Sequence, residues 1–248
     1  MIEIVIGNVG SGKTATAVKE MFLNKDGRVY FSNIKTKGIS HNHQIKTDMI
    51  IKKTPVLNKK GGHTGKFEVT LNDTFWIKQR EKFKQGINVI IDEAHTLFNA
   101  RRSMSKKNVI LSDFLALIRK ILTSSTGKGR LVFMTQLPER IDKIARDMCT
   151  LVRAYKCHYI KECQKCKSRY RECNETVEKI YYCPECNSTK IKEINHEIEA
   201  FHFSSIEQYD LWKNFGVKTY HRHYVIKDIV NYFGKYDTLQ IEDLLTEI

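Results

Sequence analysis

Eight consecutive residues, Gly7, Asn8, Val9, Gly10, Ser11, Gly12, Lys13 and Thr14, follow the spacing G-x-x-x-x-G-K-S/T. Glycines at 7, 10 and 12 let the backbone curl until successive N–H groups face one anion, and a helix starting at Lys13 adds the positive end of its dipole. Such a loop cradles the phosphates of ATP, with Lys13 expected on the β and γ phosphates and the Thr14 hydroxyl on Mg²⁺. A second cluster closes the run Asn88-Val89-Ile90-Ile91 with Asp92 and Glu93. Asp92 is expected to hold the water shell of the Mg²⁺, and Glu93 to orient or deprotonate an attacking water. Adjacent acids suit hydrolysis, whereas an enzyme that passes phosphate to a bound acceptor must keep water away. Gln136, in Met134-Thr135-Gln136-Leu137-Pro138, ends a further apolar run, where its amide can contact both the γ phosphate and the water. An arginine for the transition state has to come from a neighbouring subunit. Arg101, Arg102, Arg119 and Arg146 are the candidates, led by Arg146 and the Arg101-Arg102 pair.

The cysteines suggest a second kind of chemistry. Cys163-Gln164-Lys165-Cys166 and Cys183-Pro184-Glu185-Cys186 are two C-x-x-C knuckles sixteen residues apart, a spacing that offers four thiolates to a structural Zn²⁺ with no open position. The segment between them has too few apolar residues for its own core, so the metal would supply its folding energy. Cys173 is a spare thiol or a swapped ligand, and Cys149 and Cys157 fit core positions. Lys161, Lys165, Lys167, Arg169 and Arg171, with Tyr170, suit a phosphate backbone or a partner protein.

These residues need a frame to hold them. Apolar runs at 2–6, 28–32, 88–92, 130–135 and 151–159 alternate with helical patterns, as βαβ units do, so the fold class is α/β with a mostly parallel sheet. Helices are expected at 13–22, 141–148 and 205–215, the last stopped by Gly216, and a late strand at 198–203. Strand material at 50–57 and 67–71 flanks an exposed tip that carries Lys59, Lys60 and Lys66. The composition turns to Cys, Lys and Glu at 161. The expected domains are therefore 1–160 plus 194–248, with a zinc-binding insertion at 161–193.

The 248 residues carry a net charge of +14, and the first 150 alone hold 27 basic against 13 acidic residues. That excess favours a polyanion such as nucleic acid, contacted by Lys59, Lys60, Lys66, Lys106 and Lys107. No apolar run approaches the ~20 residues that span a bilayer, and no secretory signal opens the chain, so a cytoplasmic protein without a membrane partner is expected. A helicase of the Asp-Glu-Ala-His type needs a second motor domain, for which this length leaves no room.

Taken together, Gly7 to Thr14, Phe31-Ser32-Asn33-Ile34, Asp92-Glu93-Ala94-His95 with Phe98 and Arg101, Thr135-Gln136-Leu137-Pro138 with Ile141, Asp142 and Arg146, and Tyr236-Asp237-Thr238 resemble the zonula occludens toxin-like ATPases of the FtsK/HerA class. The resemblance covers about 1–160 and 198–240. It implies a P-loop NTPase of the additional-strand catalytic-Glu type with a small zinc-ribbon-like insertion, hexameric rings, and translocation or packaging of double-stranded viral DNA. A capsid or portal component would then be a partner, in host cytoplasm if the gene is viral. Members that assemble filamentous phage carry a membrane helix and this sequence shows none, which points to packaging over extrusion. The order of parts is also similar to zinc-containing thymidine kinases, the alternative reading, although a nucleoside site needs neither Gln136 nor the basic excess.

Overall fold

Short runs of β-branched residues that are buried on both faces demand a parallel sheet covered by helices on both sides. The computed structural model describes residues 1–58, 62–97, 106–122, 129–176 and 179–241. In chain order its elements begin with β1 (Ile2–Ile6), α1 (Lys13–Leu23), β2 (Val29–Ser32), β3 (Ile34–Thr36), β4 (Asn42–Gln44) and α2 (Thr47–Ile50). Next come β5 (Ile51–Leu57), β6 (His63–Leu71), α3 (Asp73–Lys82), β7 (Ile87–Ile91), α4 (Ala94–Leu97), α5 (Lys106–Leu122), β8 (Arg130–Thr135) and α6 (Lys143–Asp147). The chain continues through β9 (Leu151–Cys163), β10 (Arg169–Cys173), β11 (Ile191–Phe203), α7 (Ile206–Phe215), β12 (Arg222–Ile226) and β13 (Tyr236–Ile241), with a 3-10 segment at Ile229–Lys235.

The main sheet runs β12-β11-β9-β1-β8-β7-β2-β4. Every pair from β9 to β4 is parallel, while β11 and β12 are antiparallel additions. Because β8 lies between β1 and β7, the loop after β1 and the acids after β7 face each other across the end of one strand. This is the carboxyl edge, where open α/β sheets bind ligands. The fold is that of a P-loop NTPase with an additional strand.

Alternation in β1 builds both cores. Ile2, Ile4 and Ile6 join Phe31, Trp76, Phe114 and Phe203 under α3, α5 and α7. Val5 points the other way, to Val18 and Met21 of α1 and to Ile229. Glu3, on that second face and 1% exposed, pairs with Arg153 at 2.8 Å and Arg130 at 3.6 Å. Both arginines also reach Glu20 on α1, so a buried charge network fastens that helix to the sheet.

Two boundaries differ from the sequence expectation for physical reasons, and the expected strands at the exposed tip are present. The composition change at 161 does not end a strand, since β9 runs on to Cys163 and β11 pairs with it from Phe203↔Val152 to Ile191↔Cys163. The helix expected at 141–148 shrinks to Lys143–Asp147 because the Asp142 side chain caps it, accepting from the Ile144 N–H at 2.8 Å. The tip forms its own two-stranded sheet, β5 on β6, with Lys66 exposed; Lys59 and Lys60 lie outside the described residues. Among the described residues no helix is long and apolar enough to cross a membrane.

Candidate active site and metal centre

The phosphate loop leaves β1 at Ile6 and is stitched to β8 by the Gly7 N–H on Thr135 O at 3.3 Å. Glycine is required at two of its positions. A Cβ on Gly7 would stand 2.3 Å from Ser11 Oγ and 2.8 Å from Tyr155 O, and one on Gly12, at φ +84°, would meet Ile198 Cδ1 at 2.3 Å. Lys13 is 6% exposed, and its Nζ donates to Gly7 O at 2.7 Å and Asn8 O at 3.1 Å, inside the curl of the loop. Burial lowers its pKa, and the nearby Asp92 and Glu93 act against that shift. Thr14 Oγ1 donates to Asp92 Oδ2 at 2.6 Å.

Asp92 is itself clamped. Asn33, at the end of β2, donates from Nδ2 to Asp92 O at 2.9 Å and accepts from the Asp92 N–H at 2.7 Å, both bonds buried. Burial raises the Asp92 pKa, partly offset by the Thr14 hydroxyl. A buried carboxylate with a hydroxyl aimed at it is an all-oxygen donor pair that fits Mg²⁺. Removing Asn33 leaves both backbone groups of Asp92 without these partners, so Asn33→Ala is expected to cost about 2–4 kcal/mol. Urea unfolding measures it, and a change below about 0.5 kcal/mol would show that the clamp is dispensable.

Glu93 sits at φ +50°, a left-handed conformation that non-glycine residues rarely adopt. Its carboxylate takes a hydrogen bond from Gln136 Nε2 at 3.0 Å and lies 3.3 Å from His95 Nδ1. His95 Nδ1 is in turn 3.2 Å from Thr135 Oγ1. Glu93 is thus tied to the end of β8 through side chains.

Lys13, Thr14, Asp92, Glu93 and Gln136 line one cavity of about 510 Å³. Its other wall, on the β9 side of β1, consists of Cys157, Tyr159, His196, Ile198 and Phe233, while Tyr236, on β13 beside β3, lines it near Asp92. The sequence reading missed this wall and gave Asn33 no role. Of the arginines, Arg101 and Arg102 lie outside the described residues and Arg119 is carried on α5. Arg146, on α6, does not line the cavity; it is within electrostatic reach of Glu207 and Asp210 on α7.

The four knuckle cysteines converge, all Sγ atoms lying within 4.8 Å of one another. Cys163 Sγ is 3.6 Å from Cys186 Sγ, and Cys166 Sγ is 3.5 Å from Cys183 Sγ. A tetrahedron with Zn–S bonds of ~2.3 Å has edges of about 3.8 Å, so the cluster fits that metal. The two knuckles repeat one backbone pattern. Lys167 N donates to Cys163 O at 3.0 Å and Asn187 N to Cys183 O at 2.9 Å, with Lys167 and Asn187 both left-handed at φ 61° and 53°. The Ser168 hydroxyl, 3.2 Å from Cys183 Sγ, brings that thiol down to about 6. Cys173 stands apart from the cluster. Burial pushes the Cys149 and Cys157 thiols up to about 11, as for core residues.

The turn after β10 grips the phosphate loop. Asn8 Nδ2 donates to Glu175 Oε1 at 3.1 Å and Asn174 Nδ2 to Val9 O at 3.4 Å, while Glu175 also pairs with Lys156 at 3.2 Å.

The sequence matches the family described as Zonular occludens toxin (Zot) over residues 1–201, a span that includes the phosphate loop, both acids, Gln136 and the four clustered cysteines. Among solved structures, the chain is similar to the N-terminal domain of zonular occludens toxin from Neisseria meningitidis. The two share 19% identity over 95% of this chain and 98% of that one, at a TM-score of 0.50, which is a likeness of fold. It is also similar to the genome packaging NTPase B204 from Sulfolobus turreted icosahedral virus 2, with 17% identity over 62% of this chain and 74% of that one and a TM-score of 0.36. No curated protein matches the sequence.

Proposed function

The chain belongs to the zonular occludens toxin (Zot) family, and from that premise we propose that it is an ATP-hydrolysing motor that translocates or packages double-stranded DNA. The observation that carries the hydrolytic part is Glu93. It is held out of the usual backbone range and bonded to Gln136, beside the Thr14–Asp92 pair and the loop lysine. In this reading Gly7 to Thr14 cradle the triphosphate, and Lys13 leaves the loop carbonyls for the β and γ phosphates. Thr14 and Asp92 hold the Mg²⁺, which neutralises phosphate charge when bound. Glu93 accepts the proton of the attacking water, and Gln136, released from Glu93, answers to the γ phosphate. Arg146 or Arg101 from a neighbouring subunit completes the site in a ring, for which six copies are proposed. The four cysteines hold a structural Zn²⁺, and the proposed setting is cytoplasmic, with a capsid or portal component as partner.

The DNA part rests on charge. The excess of 27 basic over 13 acidic residues lies in the first 150 positions, and the protruding β5–β6 hairpin exposes Lys52 and Lys66. Contacts of that kind are made to phosphates, ignore base sequence and weaken as salt displaces them. Steady-state ATP hydrolysis is expected to rise with added duplex DNA at low salt, and the stimulation to fade as salt is raised. The measurement is a phosphate-release assay at two salt concentrations with thymidine in a parallel reaction. Phosphate transfer to thymidine with no response to DNA would replace the motor by a nucleoside kinase.

A further inference from the structure

The wall on the β9 side of the cavity has no part in the chemistry at the phosphates, and its composition is unlike theirs. Cys157 and Tyr159 on β9 pair directly with Ile198 and His196 on β11, and residues two apart on a strand share a face. The Tyr159 and His196 rings stand 5.0 Å apart at 87°, and His196 and Phe233 stand 5.1 Å apart at 71°. Three ring systems from three separate parts of the chain thus line one side of an open cavity.

Their position relative to the loop is fixed. The end of the site that carries Asp92, Glu93 and Gln136 lies on the β8 and β7 side of β1, and the aromatic wall lies on the β9 side. Gly12 abuts Ile198, and the Cβ position of Gly10 is 3.8 Å from the Tyr159 hydroxyl. A triphosphate lying with its γ end at the acids therefore directs its nucleoside across Gly10 and Gly12 onto the rings. We infer that Tyr159, His196 and Phe233 form the subsite for the base of a nucleoside triphosphate, held chiefly by stacking. This rests on the ATPase reading above. Groups able to read a base edge are few here. Among the described residues they are the Tyr159 and Tyr236 hydroxyls, the Cys157 thiol, Asp237 and the His196 imidazole, which is already bonded to Glu193. Recognition then depends on the area of the flat ring, so purine triphosphates bind more tightly than pyrimidine ones.

The test titrates full-length protein with ATP, CTP and inorganic tripolyphosphate in Mg²⁺ by calorimetry. Tyr159→Ala and Phe233→Ala are each expected to weaken ATP about tenfold, the usual scale for one base–ring stack. Tripolyphosphate should bind as before, Tyr159→Phe should match the parent, and ATP should exceed CTP. To avoid relying on substitutions that loosen the sheet, the unaltered protein is also photolabelled with 8-azido-ATP, and label is expected on peptides containing Tyr159, His196 or Phe233. Unchanged ATP affinity in both alanine variants, equal losses for ATP and tripolyphosphate, or label confined elsewhere would overturn the subsite while leaving the ATPase reading intact. A parent protein that binds neither ATP nor tripolyphosphate would overturn both.

Discussion

Glu93→Gln is expected to bind ATP as tightly as the parent chain and to hydrolyse it about 100-fold more slowly or worse, the usual scale for loss of a general base. Glutamine keeps the length of the side chain and an oxygen to accept from Gln136, so the link to β8 survives. What it lacks is a group that takes up a proton. The backbone at Glu93 supplies a companion test. A non-glycine residue at φ +50° carries strain on the order of 1 kcal/mol. Glu93→Gly relieves that strain but gives up the bond from Gln136, so it should fold within about 1 kcal/mol of the parent while being equally inactive. A catalytically dead variant that keeps the parent's stability is the signature of strain kept for function. Hydrolysis at the parent rate in Glu93→Gln would remove Glu93 from the mechanism.

The second large effect concerns the cysteines. Metal analysis should find one Zn²⁺ per chain, and Cys183→Ser, or a strong chelator, should open residues 163–191 to proteolysis after Lys165, Lys167 and Arg169. Structural zinc contributes apparent binding energies of about 10–16 kcal/mol, as large as the ~5–15 kcal/mol that holds a whole domain together. Between the knuckles the described chain offers little to replace it. Cys163 and Cys183 are buried, but Arg169, Tyr181 and Tyr182 are exposed, and the pairing of β10 with β9 covers only one edge. A digestion pattern identical with and without chelator would remove the metal from the account.

How far each part of the site could be read from the chain follows from its separation in sequence. The phosphate loop and the acid pair are contiguous, so type and spacing point to them, and Gln136 ends a strand as they do; the structure brings all of them to one cavity. The cysteine cluster needed only a doubled spacing. Asn33 was quoted within the second strand's end, but its clamp on Asp92 depends on β2 lying next to β7, which no local pattern states. The aromatic wall was harder still. Tyr159 and His196 are 37 positions apart and meet only through the β9–β11 register, and that register shifts between Glu193 and Asn195. A shift of one residue turns every following side chain to the other face, so alternation in the sequence before the bulge misassigns what comes after it. The composition change at 161 marks no end of a strand, because composition records the surface while the backbone pairing of β9 with β11 carries on beneath it.

That uninterrupted ribbon has a mechanical consequence. Tyr159 and Cys163 are four residues apart on one strand, about 13 Å at ~3.3 Å per residue. The turn that follows β10, paired to the same strand, holds Asn8 and Val9. The cysteine tip and the phosphate loop thus hang on one continuous strand, so a load applied at the tip has an unbroken, hydrogen-bonded path to the loop.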